Sequence, residues 1–335
     1  QHADVVLRTR LRLSRNVSGV PFPAAMDGTS LEATLAHLKT AVQSAGMFVS
    51  TRSELDESLT DRLAAMELMP RSYLVNDQAL VALSESDAVW ASFCTSDHLV
   101  LESAQAGLNL VDSYRALDET DNRIASALTA SGLSWAFHPD AGFIMPDALR
   151  CGSGLCASIS LHLPALVMSA LAEQAFKRAM DAGFIIEGAY AARSSSLGSV
   201  FGLSLPQAWR ESEAQALERL GRAALAMVEY ERRCRDELMK TTPVDVLDAV
   251  GRALGLVSNA RSLSRDEAVE SLSMLRLGAA VGVLAGLELA ELDELWLLAK
   301  TRMQVRDGER DAQARARLLR LAVQGATIES RYRDV

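Results

Sequence analysis

A chain of 335 residues is long enough for one large or two ordinary domains, and 49% hydrophobic residues suffice for a sizeable core. A formal net charge of −9 argues against general nucleic-acid binding, and no apolar run is long enough to span a bilayer. The four cysteines (Cys94, Cys151, Cys156, Cys234) lack framework or metal-ligand spacing, and QHADVVLRTR lacks a basic segment leading into an apolar one. A reducing, cytoplasmic compartment and no bound metal are therefore expected.

The first element is VVLRTRLRLSRNVSGVPFP, residues 5–23. Arg8, Arg10 and Arg12 alternate with apolar residues, so in a strand all three share one face. Three guanidiniums on one face repel one another unless an anion lies across them, and a polyphosphate suits that role. The other reading is a solvated edge strand whose charge deters pairing.

Residues 29–45 read as an amphipathic helix, with Thr29 and Glu32 at capping-box spacing. Residues 52–68 read as helical again. Residues 79–83 and 88–93 flank a polar turn as a hairpin, and 98–102 extend the sheet. A helix follows over 108–129, then a strand–turn–strand over 135–143. A strand over 157–163 leads into a helix opened by Pro164 and ended by Gly183. Two strands, 184–190 and 199–205, precede a long helix over 211–239. The first 240 residues are thus expected to be α+β, an antiparallel sheet with helices packed on it. After the break at Thr241-Thr242-Pro243 everything reads helical, over 244–256, 266–284, 292–302 and 311–321, with Ser264 and Glu267 as a second capping box. The expected domains are 1–240 and an all-α 241–335. The apolar excess of the second is covered either by packing on the first domain or by dimerisation, and a homodimer is expected.

Four stretches together resemble the ATP:guanido phosphotransferase (phosphagen kinase) family, and within it the bacterial protein-arginine kinases of the McsB type. They are TRLRLSRN (9–16), SDHLV (96–100), GSGLCASISLHLPAL (152–166) and EGAYAARSSSLGSVFGLS (187–204). The C-terminal block resembles the extra dimerisation domain of the protein kinases. The resemblance implies the guanido-kinase fold, with ATP phosphates held by five arginines and the acceptor guanidinium held and deprotonated by two carboxylates.

Position by position, little of that machinery is kept. Arg10 and Arg12 match the first two phosphate arginines. The other three fall at Val100, Cys156 and Glu187, the last a charge reversal. The carboxylate positions are Thr95, Ser96 and Ser195, and the family cysteine position is Asp147. Asp97, His98 and His162 persist and read as structural. Arg8, Arg150 and Arg193 are extra arginines near motif positions. They either rebuild an anion site or reflect a composition in which 30 of the 34 basic residues are arginine. Glu102, Asp112, Asp118 and Glu119 read as surface carboxylates. The phosphoarginine-binding element of the protein kinases, close to RDxxRA, corresponds to Arg310, Asp311 and Arg315, but one residue too long between its halves. One residue is about 100° of helix, so both halves cannot keep the family geometry.

The expectation is a pseudokinase with a regulatory or scaffold role in arginine phosphorylation or protein quality control. Its partners would be an active arginine kinase, its activator or a protease or chaperone adaptor, with no nucleic acid, membrane or bound cofactor. The alternative is an active ATP–Mg-dependent arginine phosphotransferase with a rearranged site.

Overall fold

The computed structural model describes residues 1–332 apart from 67, 70, 71, 74, 75, 86, 87, 189–196, 206–211, 302 and 304–308. The arginine-bearing stretch is strand β1 (Val6–Arg15). Helix α1 (Gly28–Ser44) and strand β2 (Met47–Thr51) follow. The N-cap of α1 is Asp27, whose Oδ1 accepts the Ser30 N–H at 2.8 Å, rather than Thr29. An aspartate two residues earlier offers the same acceptor and starts the helix sooner. A 3-10 turn at 52–54 and helix α2 (Glu57–Ala65) replace the single helix expected there. Asp56 interrupts it, since its carboxylate caps Ser58 and Leu59 and so begins a new helix.

The hairpin is present as β3 (Leu80–Ser84) and β4 (Trp90–Phe93), followed by β5 (Leu99–Ala106), α3 (Leu110–Ala130), β6 (Phe137–His138) and β7 (Gly142–Phe143). Then come β8 (Leu155–His162), α4 (Pro164–Met168), α5 (Ala172–Asp181), β9 (Ile185–Glu187), β10 (Val200–Ser204) and α6 (Glu213–Thr241). The helix expected from Pro164 to about residue 182 is therefore two helices. They are broken at Ala170, which adopts φ 56° without a glycine or proline to announce it.

The strand order of the main sheet is β2-β3-β4-β5-β1-β8-β10-β9. Strand β1 is interior, so the edge-strand reading fails and the charges on its face need another explanation. Each successive pair from β2 to β1 is antiparallel, and Arg10 lies opposite Ala104 and Arg12 opposite Glu102.

The last part of the chain holds α7 (Pro243–Asn259), α8 (Arg265–Ala280), β11 (Leu284–Ala285), α9 (Leu289–Lys300), α10 (Asp311–Ala322) and β12 (Thr327–Ile328). The expected Ser264–Glu267 capping box is present, with reciprocal bonds of 3.2 and 2.9 Å. The block is not wholly helical: β11 pairs with β12, and Gly282 at φ 70° turns the chain out of α8 sooner than expected.

The chain divides into two compact units. The arginine-strand unit comprises Arg8–Ile159 and Ser204–Arg222. Its core includes Leu11, Leu13, Leu38, Val42, Leu99, Leu101, Leu117 and Ile124, with α1 against α3 and α3 against β5. The second unit comprises Gln1–Leu7, Ser160–Leu203 and Ala223–Val335. Its core is built on Val250, Val257, Leu272, Leu275, Leu292 and Leu319. The expected 240/241 boundary falls within this unit, at the short step from α6 to α7. Among the described residues, no helix is long and apolar enough to cross a membrane.

Candidate functional site

Alternation places Leu11 and Leu13 in the core and Arg8, Arg10 and Arg12 on the opposite face of β1. An anion does lie across Arg10 and Arg12, and it belongs to the chain. Glu102 Oε2 accepts from Arg10 Nη2 at 2.7 Å and Nε at 3.2 Å, and its Oε1 is 3.8 Å from Arg12 Nε. The reading of Glu102 as a surface carboxylate is therefore wrong: it is only 6% exposed, in the middle of a strand that continues four residues further than expected. Arg12 also donates from Nη2 to Ser96 Oγ at 3.0 Å, and Ser96 donates to Asp97 Oδ2 at 2.9 Å. Arg150 reaches the same Asp97 oxygen at 3.1 Å. Arg8 donates from Nη1 to the Met66 carbonyl. Of the three extra arginines, Arg150 thus joins Arg12 around Asp97, Arg8 is tied to a backbone carbonyl, and Arg193 lies outside the described residues.

Asp97 and His98 hold this corner together, as expected. Asn16 donates to Asp97 Oδ1 at 3.0 Å and accepts the His98 N–H at 2.9 Å. His98 Nδ1 accepts from the Val17 N–H at 2.8 Å, so Nε2 carries the proton and donates to the Pro21 carbonyl at 2.8 Å. Burial pushes the Asp97 pKa up, but hydrogen bonds from Asn16 and Ser96 and the charge of Arg150 outweigh it and hold the carboxyl below its usual range.

At the positions matched to the family machinery, Val100 is buried on β5 and shares a face with Glu102 two residues on. Thr95 and Ser96 stand in the turn before β5, where Cys94 takes φ 48° and the Thr95 N–H bonds the Asp97 carbonyl at 3.1 Å. Cys156 is half-buried on β8, its thiol pushed up by burial against the pull of Arg12 and Arg150. Asp147 accepts the Leu149 N–H at 3.0 Å and caps a short turn. Ser195 lies outside the described residues. Glu187 is exposed on β9, in the second unit, and packs over Gly202.

In the second unit, Arg315 is 2% exposed and donates to the carbonyls of Ala299 (2.9 Å) and Leu263 (3.2 Å) and to Asp311 (2.5 Å). Arg310 is the exposed N-cap of α10. These contacts fasten α10 to the end of α9 and the segment before α8. Arg315 and Asp311 thus serve the local fold, and Arg310 is exposed.

His162 is fully buried in a relay that motif reading does not reveal. Arg276 Nη1 donates to His162 Nδ1 at 3.1 Å, so Nε2 carries the proton and meets Ser273 Oγ at 2.9 Å. Ser273 donates onward to the Gly198 carbonyl at 2.8 Å. Burial, reinforced by the charges of Arg276 and Arg235, holds the imidazole neutral, with its pKa well below the usual value. Arg276 also pairs with Asp293 at 2.6 Å and donates to the Ala3 and Asp4 carbonyls.

Comparison with known proteins agrees with the motif resemblance. Residues 32–234 match the ATP:guanido phosphotransferase C-terminal catalytic domain, and residues 243–331 match the protein-arginine kinase McsB C-terminal domain. The chain is 28% identical over 302 residues to the protein-arginine kinase of Symbiobacterium thermophilum, covering 88% of this chain and 84% of that one. It is 30% identical over 299 residues to that of Caldanaerobacter subterraneus, covering 87% of each. Among solved structures it resembles a lombricine kinase (TM-score 0.58, 16% identity, 69% of this chain and 67% of that one). It also resembles the substrate-free duplicated taurocyamine kinase of Schistosoma mansoni (TM-score 0.58, 17% identity, 80% and 39%). The motif stretches, the fold and the extent of both matches lead to one conclusion: the chain belongs to the ATP:guanido phosphotransferase family, in its McsB-type protein-arginine kinase branch.

Proposed function

We propose that this protein is a pseudokinase, a protein-arginine kinase homologue that has kept the fold and lost the chemistry. It acts as a cytoplasmic regulatory or scaffold protein in arginine phosphorylation or protein quality control. It forms a homodimer through its helical block and pairs with an active arginine kinase, its activator or a protease or chaperone adaptor. The observation that carries this reading is the turn before β5. Where the family resemblance calls for carboxylates it holds Thr95 and Ser96, and where it calls for an arginine on β5 it holds the buried Val100. A neutral guanidinium is needed for attack, and neither hydroxyl can take a proton from a group so basic.

The residues present also fit a triphosphate poorly. Of five expected cations, Arg10 and Arg12 remain, both already facing Glu102. Loss of one preorganised charge partner commonly costs about 3–4 kcal/mol in a transition state, and several are absent here. One observation favours the second reading, an active enzyme with a rearranged site: Arg150 converges with Arg12 on Asp97 and adds a cation beside the expected phosphate face. Incubation with ATP–Mg and an arginine-rich protein, read as acid-labile phosphate, separates the two. The pseudokinase yields none, and a rearranged enzyme yields phosphoarginine.

A further inference from the structure

We propose that Glu102 is a resident anion: its carboxylate occupies the seat on Arg10 and Arg12 that a phosphate would need, and so closes this face to polyphosphates. The inference rests on the pseudokinase reading for the assignment of Arg10 and Arg12 as phosphate arginines. It adds a residue that the family pattern does not supply.

Three observations carry it. The register of β1 and β5 sets Arg12 directly opposite Glu102, so a carboxylate at this position is built into the wall of the site. Its side chain, at 7% exposure, is more buried than those of Arg10 and Arg12, at 25% and 31%. Second, the pairing is lopsided. Two N–H groups of Arg10 converge on Oε2, while Arg12 Nε, buried and without a hydrogen-bond partner, stays 3.8 Å from Oε1. The carboxylate offsets one of the two positive charges and satisfies only Arg10 in geometry. A tetrahedral oxyanion presents more acceptors and suits both. Third, the neighbouring cation is engaged as well, because Arg150 is paired with Asp97 at 3.1 Å. An incoming polyphosphate must therefore displace a buried carboxylate of its own sign rather than water.

The test is titration calorimetry of the 335-residue chain with inorganic tripolyphosphate at fixed ionic strength. Glu102→Gln keeps the size of the side chain and one accepting oxygen while removing the charge. Its affinity should exceed that of the unmodified chain by tenfold or more, and Arg10→Met added to it should abolish the gain. Should the glutamine variant melt below the assay temperature, Glu102→Asp, which keeps the charge but withdraws it by one methylene, should bind with intermediate affinity. Equal affinities for the unmodified chain and its Glu102 variants would overturn the proposal, as would a gain that survives loss of Arg10. Because arginine phosphorylation is not read here, the outcomes stay separate. Kinase activity in the unmodified chain overturns the pseudokinase reading, and equal tripolyphosphate binding overturns only the role of Glu102.

Discussion

At the residue scale, burial and charge assign work to residues that motifs leave ambiguous. His162 is the clearest case, because its neutral state has a direct thermodynamic consequence. The unfolded chain takes up a proton near pH 6.5, whereas the folded chain resists until well below that. The unfolded state therefore binds more protons in this window, and stability falls as pH drops below about 6.5, by about 1.4 kcal/mol per pH unit for each such histidine. His98, also lowered chiefly by burial, contributes in the same direction. Urea unfolding between pH 8 and 5 should show this acid slope, and His162→Gln should remove about one proton's worth of it. Asp97 acts lower on the scale. Its depressed pKa adds stability that is fully present above about pH 4 and lost as pH falls through the folded value, so Asp97→Asn should flatten unfolding curves there.

Arg276 is the second residue-scale case. Its side chain is fully buried, and it binds Asp293, His162 and two backbone carbonyls. Arg276→Met removes the guanidinium and leaves those acceptors unpaired, so it should cost about 3–5 kcal/mol in denaturant unfolding. Lysine should recover little of this, because a point charge cannot reach acceptors set around a planar fork. Neither Arg276 nor Glu102 announces its role in sequence. A glutamate taken for the last residue of a strand looks solvated, and only the four further residues of β5 show that it lies mid-strand between Trp90 and Arg12. Arg10 and Arg12 were legible because alternation alone fixes their face.

At the element scale, legibility follows how local the cause is. The Ser264–Glu267 cap and the interruption at Asp56 are settled within four residues, and the first is readable from spacing alone. The break between α4 and α5 is not local. Glu231, far along the chain, accepts the N–H groups of Ala165 and Leu166 at 3.1 and 2.9 Å, and the Phe176 ring packs tilted against Phe201 with centroids 4.5 Å apart. Long-range contacts of this kind override a continuous helical pattern, and no single-residue signal marks Ala170.

Gly278 shows how an element pair depends on one small residue. A Cβ there would meet Val250 Cγ1 at 2.7 Å, so α8 approaches α7 only because this position has no side chain. Gly278→Ala should destabilise the chain by about 1–3 kcal/mol through overpacking. Val250→Ala should rescue part of that loss. A double-mutant cycle by chemical denaturation checks the coupling, and strictly additive effects would contradict the close approach.

At the scale of the whole molecule, the order of elements along the first 240 residues was largely readable, because each is a short periodic segment bounded by turn residues. The compact units follow contacts rather than that order. The helical block shares a unit with the N-terminal residues and with 160–203, gathered by buried polar contacts such as Arg276 to Asp4 and Ser273 to Gly198. Such contacts join positions far apart in sequence and leave no periodic trace. The apolar excess of the helical block motivates the homodimer within the proposed function. Sedimentation at micromolar concentration should give about twice the chain mass of 36.1 kDa, and a single species at the chain mass would count against it.

Loss of arginine phosphotransfer is directly measurable. The purified 335-residue chain is incubated with ATP–Mg and an arginine-rich protein substrate, and acid-labile phosphate is quantified beside an active protein-arginine kinase. A pseudokinase forms no phosphoarginine above background, since Thr95 and Ser96 cannot take the guanidinium proton and Glu102 already faces the two remaining phosphate arginines. Phosphoarginine formed at a rate comparable to the active kinase would contradict it.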